Sequence, residues 1–271
     1  MARRNNLQTN NLRIAFIFCL LVGIIVGISV LFKVALIIKN SDFDGKSDFN
    51  VIFGQNKKIS VISFSPASSS IHILDIEGES ISLSTIGRRF KIPIDGFVKI
   101  QSNEKMEDEG FDSLFKSALL GRADTKLTAI DIARLWLFSK TVSKSLVTNK
   151  NFLNTSEISD EEIDEISSSL FNDEVVAREK ISIAIINGTN VLGFGNRLAR
   201  LISNIGGNVV SVSSKEFLEN SEITYTKNAS STNTLKRLNQ ILGFRKSESE
   251  KAEIADITIR IGKDSIDLIT F

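Results

Sequence analysis

The stretch Ile181 to Asn190, ISIAIINGTN, is a β-branched apolar run closed by a polar turn, and it opens the most regular part of the chain. Such a run reads as a buried strand, and Asn-Gly-Thr-Asn as the turn that ends it. Working outward, Gly193 to Ile205 predicts a helix with Leu198, Leu201, Ile202 and Ile205 on one face. Gly206-Gly207 stops that helix, and Asn208 to Val212 predicts the next strand. Ile223 to Lys227 predicts a short third strand, Thr232 to Leu242 a helix with Leu235, Leu238 and Leu242 in register, and Ala255 to Ile261 a last strand. The order β-α-β-β-α-β, with right-handed crossovers, implies a two-layer α/β domain over residues 180–271.

Upstream, Lys58 to Phe64 and Ile71 to Ile76 alternate as strands around a Pro66-containing serine turn, which predicts an antiparallel pair. Glu79 to Ile86 and Gly96 to Gln101 are read as further strands. Phe111, Leu114, Phe115, Ala118 and Leu119 recur at helical spacing. Ile130, Ala133, Arg134, Leu137 and Phe138 do so again, with Thr128 as N-cap three residues before Asp131. Ser159 and Glu162 have the capping-box spacing ahead of a mostly polar helix, so residues 151–179 read as a linker helix bridging two domains. Residues 58–150 then form a mixed α/β domain.

The N-terminal part is of a different kind. Ile14 to Phe32 is uninterrupted apolar sequence, continued by Val34 to Ile38 after Lys33. About 20 apolar residues in a helix span a bilayer's hydrocarbon core, so residues 14–38 predict a single transmembrane helix. Arg3, Arg4 and Arg13 precede it with no acidic residue, whereas Lys39 and Lys46 are interleaved with Asp42, Asp44 and Asp48. The positive-inside rule then assigns residues 1–13 to a cytoplasmic tail and the rest to the outside. Residues 39–57, rich in Asp, Ser and Gly at their start, read as a spacer. A secretory signal would need a shorter apolar core and a small-residue cleavage site, which Ile37-Ile38-Lys39-Asn40 does not supply.

Composition excludes several classes. Lys and Arg number 33 against 32 Asp and Glu, a formal net charge of +1, which gives no global basic field for nucleic acid. One cysteine, Cys19, forbids an intramolecular disulfide, and with a single histidine, His72, it makes a His/Cys zinc site implausible. No metal site is expected. His72 reads as an exposed strand residue and Trp136 as a core or domain-contact residue. Glycines at 188, 193 and 195 follow a strand and precede a helix, yet their spacing is not the dinucleotide fingerprint.

The C-terminal segment resembles the C-terminal domain of the LytR-CpsA-Psr family of envelope proteins. The residues that carry the resemblance are Ile185-Ile186-Asn187-Gly188-Thr189, Gly193, Ala199, Gly206, Tyr225, Leu242-Gly243, Ala255-Asp256-Ile257-Thr258-Ile259 and Gly262-Lys263-Asp264. Of these, Asn187, Gly188, Gly193, Gly206, Asp256, Gly262 and Asp264 have plain structural uses in turns, close approaches and caps. The middle of the chain is similar to a shortened form of the family's main domain, with Phe90 to Val98 (FKIPIDGFV) matching an apolar-Pro-apolar-Asp segment.

In active family members, the resemblance implies, an Ile-Pro-Arg-Asp motif and further arginines hold a polyprenyl pyrophosphate with a divalent metal, and a glycan is transferred to peptidoglycan. Here the strand that would carry the motif runs Leu74 to Ser80 (LDIEGES), and Gly78 stands at the arginine position between Glu77 and Glu79. Without the guanidinium a bidentate phosphate donor is lost. No catalytic residue is therefore assigned, and no cofactor is expected, Mg²⁺ being required only if transfer activity persists. The remaining ligand-binding candidates are Arg88, Arg89 and Lys91, read either as a solvated turn or as point charges for a lipid pyrophosphate or anionic headgroups, and Asp95.

The sequence thus points to a membrane-anchored, non-catalytic cell-envelope protein with binding or scaffolding work in wall assembly. Its implied partners are the lipid bilayer and an envelope glycopolymer, peptidoglycan or envelope protein, and not nucleic acid. The alternatives are a phosphotransferase acting on polyprenyl pyrophosphate and a membrane-bound transcriptional regulator.

Overall fold

The computed structural model describes residues 3–39, 41–55, 58–77, 83–100, 111–152, 159–250 and 255–268. The chain divides into two compact units, Met1–Ser41 and Asp42–Phe271. The first is one helix, α1 (Arg3–Lys39), whose stretch Ile14–Lys33 is long and apolar enough to cross a membrane and has none of its side chains buried. With no polar face to place against protein, such a surface suits hydrocarbon.

The second unit is a mixed α/β body built on two sheets. The first sheet contains β1 (Phe49–Gln55), β2 (Lys58–Ser65), β3 (Ser70–Glu77), β4 (Gly96–Ile100), β5 (Ala123–Thr125) and β6 (Val147–Phe152), in the order β5-β4-β1-β2-β3-β6. The β2–β3 pair is antiparallel as the alternating pattern requires, whereas β1–β4 and β3–β6 are parallel. Strand alternation separates two cores. Val51, Phe53, Ile62, Phe64 and Ile71 face α3 (Phe111–Leu119) and α4 (Ala129–Thr141). Ile52, Val61, Leu74 and Ile76 face α2 (Leu83–Phe90) and α5 (Asp160–Phe171).

Three readings need correction. Residues 39–57 are not only a spacer: Phe49–Gln55 is a central strand, and Phe43, Ser47 and Asp48 ahead of it are buried. The period-2 pattern of FNVIF was obscured by the Asp-rich residues before it. Leu83 to Ile86 is helical rather than extended, because Ile86 and Phe90, one turn apart, both fill the second core. The remainder of that supposed strand, residues 79–82, lies outside the described residues, as does Gly78. Finally, α5 is less polar in its packing than its composition implies: Ile163, Ile166, Ser167, Leu170 and Phe171 are all buried. Both predicted N-caps are present, Thr128 with its full capping box and Ser159 accepting from the Glu162 N–H.

The second sheet contains β7 (Ser182–Asn187), β8 (Asn208–Ser214), β9 (Glu222–Tyr225), β10 (Arg245–Glu248) and β11 (Ile257–Ile261), ordered β10-β9-β11-β7-β8. Helices α7 (Phe194–Asn204) and α8 (Asn233–Leu242) cover one face of it. The edge strand β10, all charged or polar and fully exposed, escaped the sequence reading because it has no apolar alternation. A short helix α6 (Glu174–Glu179) joins the halves, and a terminal turn of helix, α9 (Ser265–Leu268), follows β11.

Gly206 shows how tightly α6 and α7 are joined. It has φ +88°, and a Cβ there would lie 2.4 Å from Asn172 Oδ1, 2.9 Å from Ala177 Cβ and 3.1 Å from the Asp173 carbonyl oxygen. Gly243, the C-cap of α8 at φ +65°, has nothing within 4 Å of the same position. Gly243→Ala therefore carries only the left-handed backbone cost of about 1–2 kcal/mol. Gly206→Ala adds overpacking and should cost about 2–5 kcal/mol in all. Urea unfolding of the two variants side by side will show this order.

Candidate functional site

The most unusual chemistry in the second unit is a charged cluster buried where its two halves meet. Arg237 sits on α8 between Leu235 and Leu238 and is 2% exposed. Its Nη1 and Nη2 donate to Asp95 Oδ1 at 2.7 Å and Oδ2 at 2.9 Å, a bidentate pair reaching from the second half to the loop before β4. Asp95 is fixed from its own side as well: Asn50 N–H donates to Oδ2 at 2.8 Å, and Asp95 N–H donates to the Asn50 carbonyl at 2.9 Å. Asn50 in turn donates from Nδ2 to the Pro93 carbonyl at 3.0 Å, which holds the turn that aims Asp95.

Two further carboxyls stand behind this pair. Asp173 is the N-cap of α6, Oδ1 accepting from Val175 N–H and Val176 N–H. Its Oδ2 accepts from the Asp48 N–H at 3.1 Å. The Asp48 side chain accepts from Ser65 Oγ at 2.9 Å. Burial, with the charge of Asp173 adding to it, pushes the Asp48 carboxyl up to about 8, outweighing the Ser65 hydrogen bond and the attraction of Arg237. Asp48 is thus a neutral acid at pH 7, which suits an Oδ1 that is buried without a partner among the described residues. Burial works against the charge of Arg237 too, but Asp95, by its charge and its hydrogen bonds, and then Asp173 more than offset it and hold the guanidinium protonated.

A second tie lies beside the first. Glu179, ending α6, accepts from the backbone and side chains of Asn233 and Thr234 at 2.7–2.9 Å, satisfying free N–H groups at the start of α8. Burial disfavours its charge, yet these four hydrogen bonds prevail and keep the carboxyl below its ordinary range.

The four ligand-binding candidates do not converge on one anion site. Arg88 and Arg89 lie in the last turn of α2, Arg88 exposed and Arg89 half-buried. Lys91, at φ 48°, turns inward: Nζ lies 3.2 Å from Asp160 and 3.8 Å from Asp164 on α5, and its carbonyl accepts from Asn204 Nδ2. Arg200 of α7 joins the same two aspartates. Asp95 faces Arg237. Among the described residues no group of three or more His, Cys, Asp or Glu is placed to hold a metal ion. His72 differs from its reading as an exposed residue: it is half-buried, Nε2 lies 3.0 Å from Ser70 Oγ, and burial lowers its pKa.

The seven motif residues of the C-terminal domain are occupied internally. Asn187 Oδ1 accepts from Thr189 N–H and Oγ1, and its Nδ2 donates to the Val191 carbonyl. A Cβ on Gly188 would meet Leu218, and one on Gly262 would lie 2.5 Å from the Asn220 backbone. Gly193, at φ +72°, is the N-cap of α7, and Gly206 is the close approach described above. Asp256 ties Ser182, and Asp264 ties Ser221, each accepting from both N–H and Oγ.

This segment, residues 180–264, matches the family model described as LytR cell envelope-related transcriptional attenuator. It is a LytR C-terminal domain. The match leaves residues 1–179 outside it, and no curated protein matches the chain. Among solved structures, the Lin1025 protein from Listeria innocua is 11% identical over 83% of this chain and 96% of that one, at a TM-score of 0.20. The LytR C-terminal domain contributes Arg237 to the buried cluster from a helix whose apolar stripe gave no hint of it. Asp48, Asp173 and Arg237 were all missed by sequence reasoning. Only Asp173, ahead of Glu174-Val175-Val176, carried a local signal, that of an N-cap.

Removing one partner strands the other's charge in the interior. Asp95→Asn or Arg237→Met should therefore cost about 3–5 kcal/mol in denaturant unfolding. The pH dependence has a definite sign. Asp48 keeps its proton to about pH 8 when folded but releases it near 3.8 when unfolded, so within that window the folded state binds more protons and stability falls as pH rises. His72 acts oppositely, but only below 6.5. Between pH 7 and 8 the unfolding free energy should fall, by at most about 1.4 kcal/mol per pH unit, and Asp48→Asn should flatten that slope.

Proposed function

We propose that the protein is a single-pass membrane protein with a cytoplasmic N-terminus. Residues 42–271 lie outside and serve as a non-catalytic binding or scaffolding component of cell-wall assembly. The observation that carries this reading is the engagement of Asp95. By resemblance it closes the apolar-Pro-apolar-Asp segment of the family's main domain, yet both its oxygens are taken by Arg237, and Lys91 in the same segment is paired with α5. Groups held this way cannot turn to a pyrophosphate without leaving a buried charge uncompensated. Gly78 at the family's arginine position supports the same reading from the sequence. The LytR C-terminal domain supports an envelope setting, with wall glycopolymer, peptidoglycan or an envelope protein as the class of partner. The anchor is supported by α1, and the orientation by the arginines before it.

The phosphotransferase alternative is tested by incubating the purified full-length protein with Mg²⁺ and a polyprenyl-pyrophosphate glycan. No release or transfer of glycan above a protein-free control is expected. Turnover that disappears on Arg88→Ala would overturn the non-catalytic reading. Sidedness is tested by a reporter fused after Phe271, which should be active only outside the cytoplasm.

A further inference from the structure

One face of the first sheet changes character along its strands. Toward Gln55 it carries Ile52, Val61, Leu74 and Ile76, which α2 and α5 cover. Toward the start of β1 the same face is polar. Strand register sets Asn50 opposite Ser63, Ser63 opposite His72, and His72 opposite Thr148. The neighbouring row holds Ser65 opposite Ser70, with Asp48 bonded to Ser65 Oγ. Asp48, Asn50 and Ser63 are buried, His72 is half-buried and Thr148 is exposed, so this polar strip runs from the interior out to solvent. Arg237 and Asp173 stand at its inner end, the one through Asp95 and the Asn50 N–H, the other through the Asp48 N–H.

Buried polar atoms are nearly always paired, because leaving one unpaired costs its full desolvation. Eight buried side-chain atoms of the described residues have no hydrogen-bond partner, and five of them belong to this strip and its inner end: Asp48 Oδ1, Asn50 Oδ1, Ser63 Oγ, His72 Nδ1 and Arg237 Nε. They spread over three adjacent strands, a run of about 10 Å. The places where the chain leaves the described residues beside this sheet, after Gln55, Glu77, Ile100 and Phe152, are all at the far end of it. The unpaired atoms also specify their guest. Asn50 Oδ1 only accepts, Arg237 Nε only donates, and Ser63 Oγ does both. A cation would face the guanidinium, and an anion would face the Asn50 amide oxygen and the charge of Asp173. A neutral hydroxyl both donates and accepts, and a water held by two to four such partners is the usual way to satisfy them. We propose that the strip is an internal hydroxyl-binding site entered past His72, which takes water or the hydroxyls of a small neutral polyol.

The test uses the full-length protein in detergent micelles. Cross-relaxation between water and the side-chain amide of Asn50 is measured in the wild type and needs no variant. Magnetic relaxation dispersion of the water nuclei is then compared between the wild type and Ser63→Val, whose added methyls fill the space beside Asn50. Long-lived water cross-peaks at Asn50 are expected, with loss of part of the dispersion in Ser63→Val and an unchanged urea midpoint, since the methyls displace water rather than protein. Titration with glycerol separates the two guests: a wild-type dispersion that falls as glycerol is added, with no such fall in Ser63→Val, assigns the site to polyol hydroxyls, and one that does not fall assigns it to water. Absence of water cross-peaks at Asn50, or a dispersion that folded Ser63→Val leaves unchanged, would overturn the proposal. So would a Ser63→Val protein whose urea midpoint drops sharply, because overpacking there means that the strip has no room for a guest.

Discussion

The bidentate ion pair between Arg237 and Asp95 is the constraint on which the second unit depends. Both side chains are nearly out of water, where charges cost several kcal/mol each unless geometry and extra hydrogen bonds offset the loss. Here the offset is well supplied: two parallel N–H···O bonds, a third from the Asn50 backbone, and a neutral Asp48 that spares the site another negative charge. One arrangement of the two halves satisfies these groups, and a displacement of either leaves charges uncompensated. The pair therefore fixes register as much as it contributes energy. Asp173 and Glu179, at the two ends of α6, reinforce it by capping their own helix and the neighbouring one.

The legible parts of the fold are those whose cause is local. The alternation of KISVISF and IHILDI, the capping box at Thr128 and Asp131, and the strand-turn-helix of ISIAIINGTN through Ile205 each declare themselves within a dozen residues, and the structure contains all of them. What escaped depends on distant partners. Phe49–Gln55 is central only because β2 and β4 flank it on either side, and Leu83–Phe90 is helical only because Ile86 and Phe90 meet a core shared with α5. Arg237 lies 142 residues from Asp95, so within NTLKRLNQIL it has the look of any solvent-facing arginine. Of the candidate binding residues, Asp95 sits where a turn before Gly96 calls for an Asp, and its partner Arg237 lies beyond any local pattern.

The same geometry connects the site to the functional reading. Asp95 and Lys91 are drawn into internal ion pairs, and the motif residues of the LytR C-terminal domain are spent on turns, caps and close backbone approaches.

The central claim is that the two sheets open as a single unit because the buried pair joins them. Native-state hydrogen exchange on the full-length protein tests this most directly, by comparing the opening free energies of β1 and β2 amides with those of β7 and β11. The account predicts equal values for both sheets in the wild type, rising and falling together with denaturant, and separate values once Arg237 is replaced by Met. Unequal opening energies in the unmodified protein, or equal ones that survive the substitution, would contradict it.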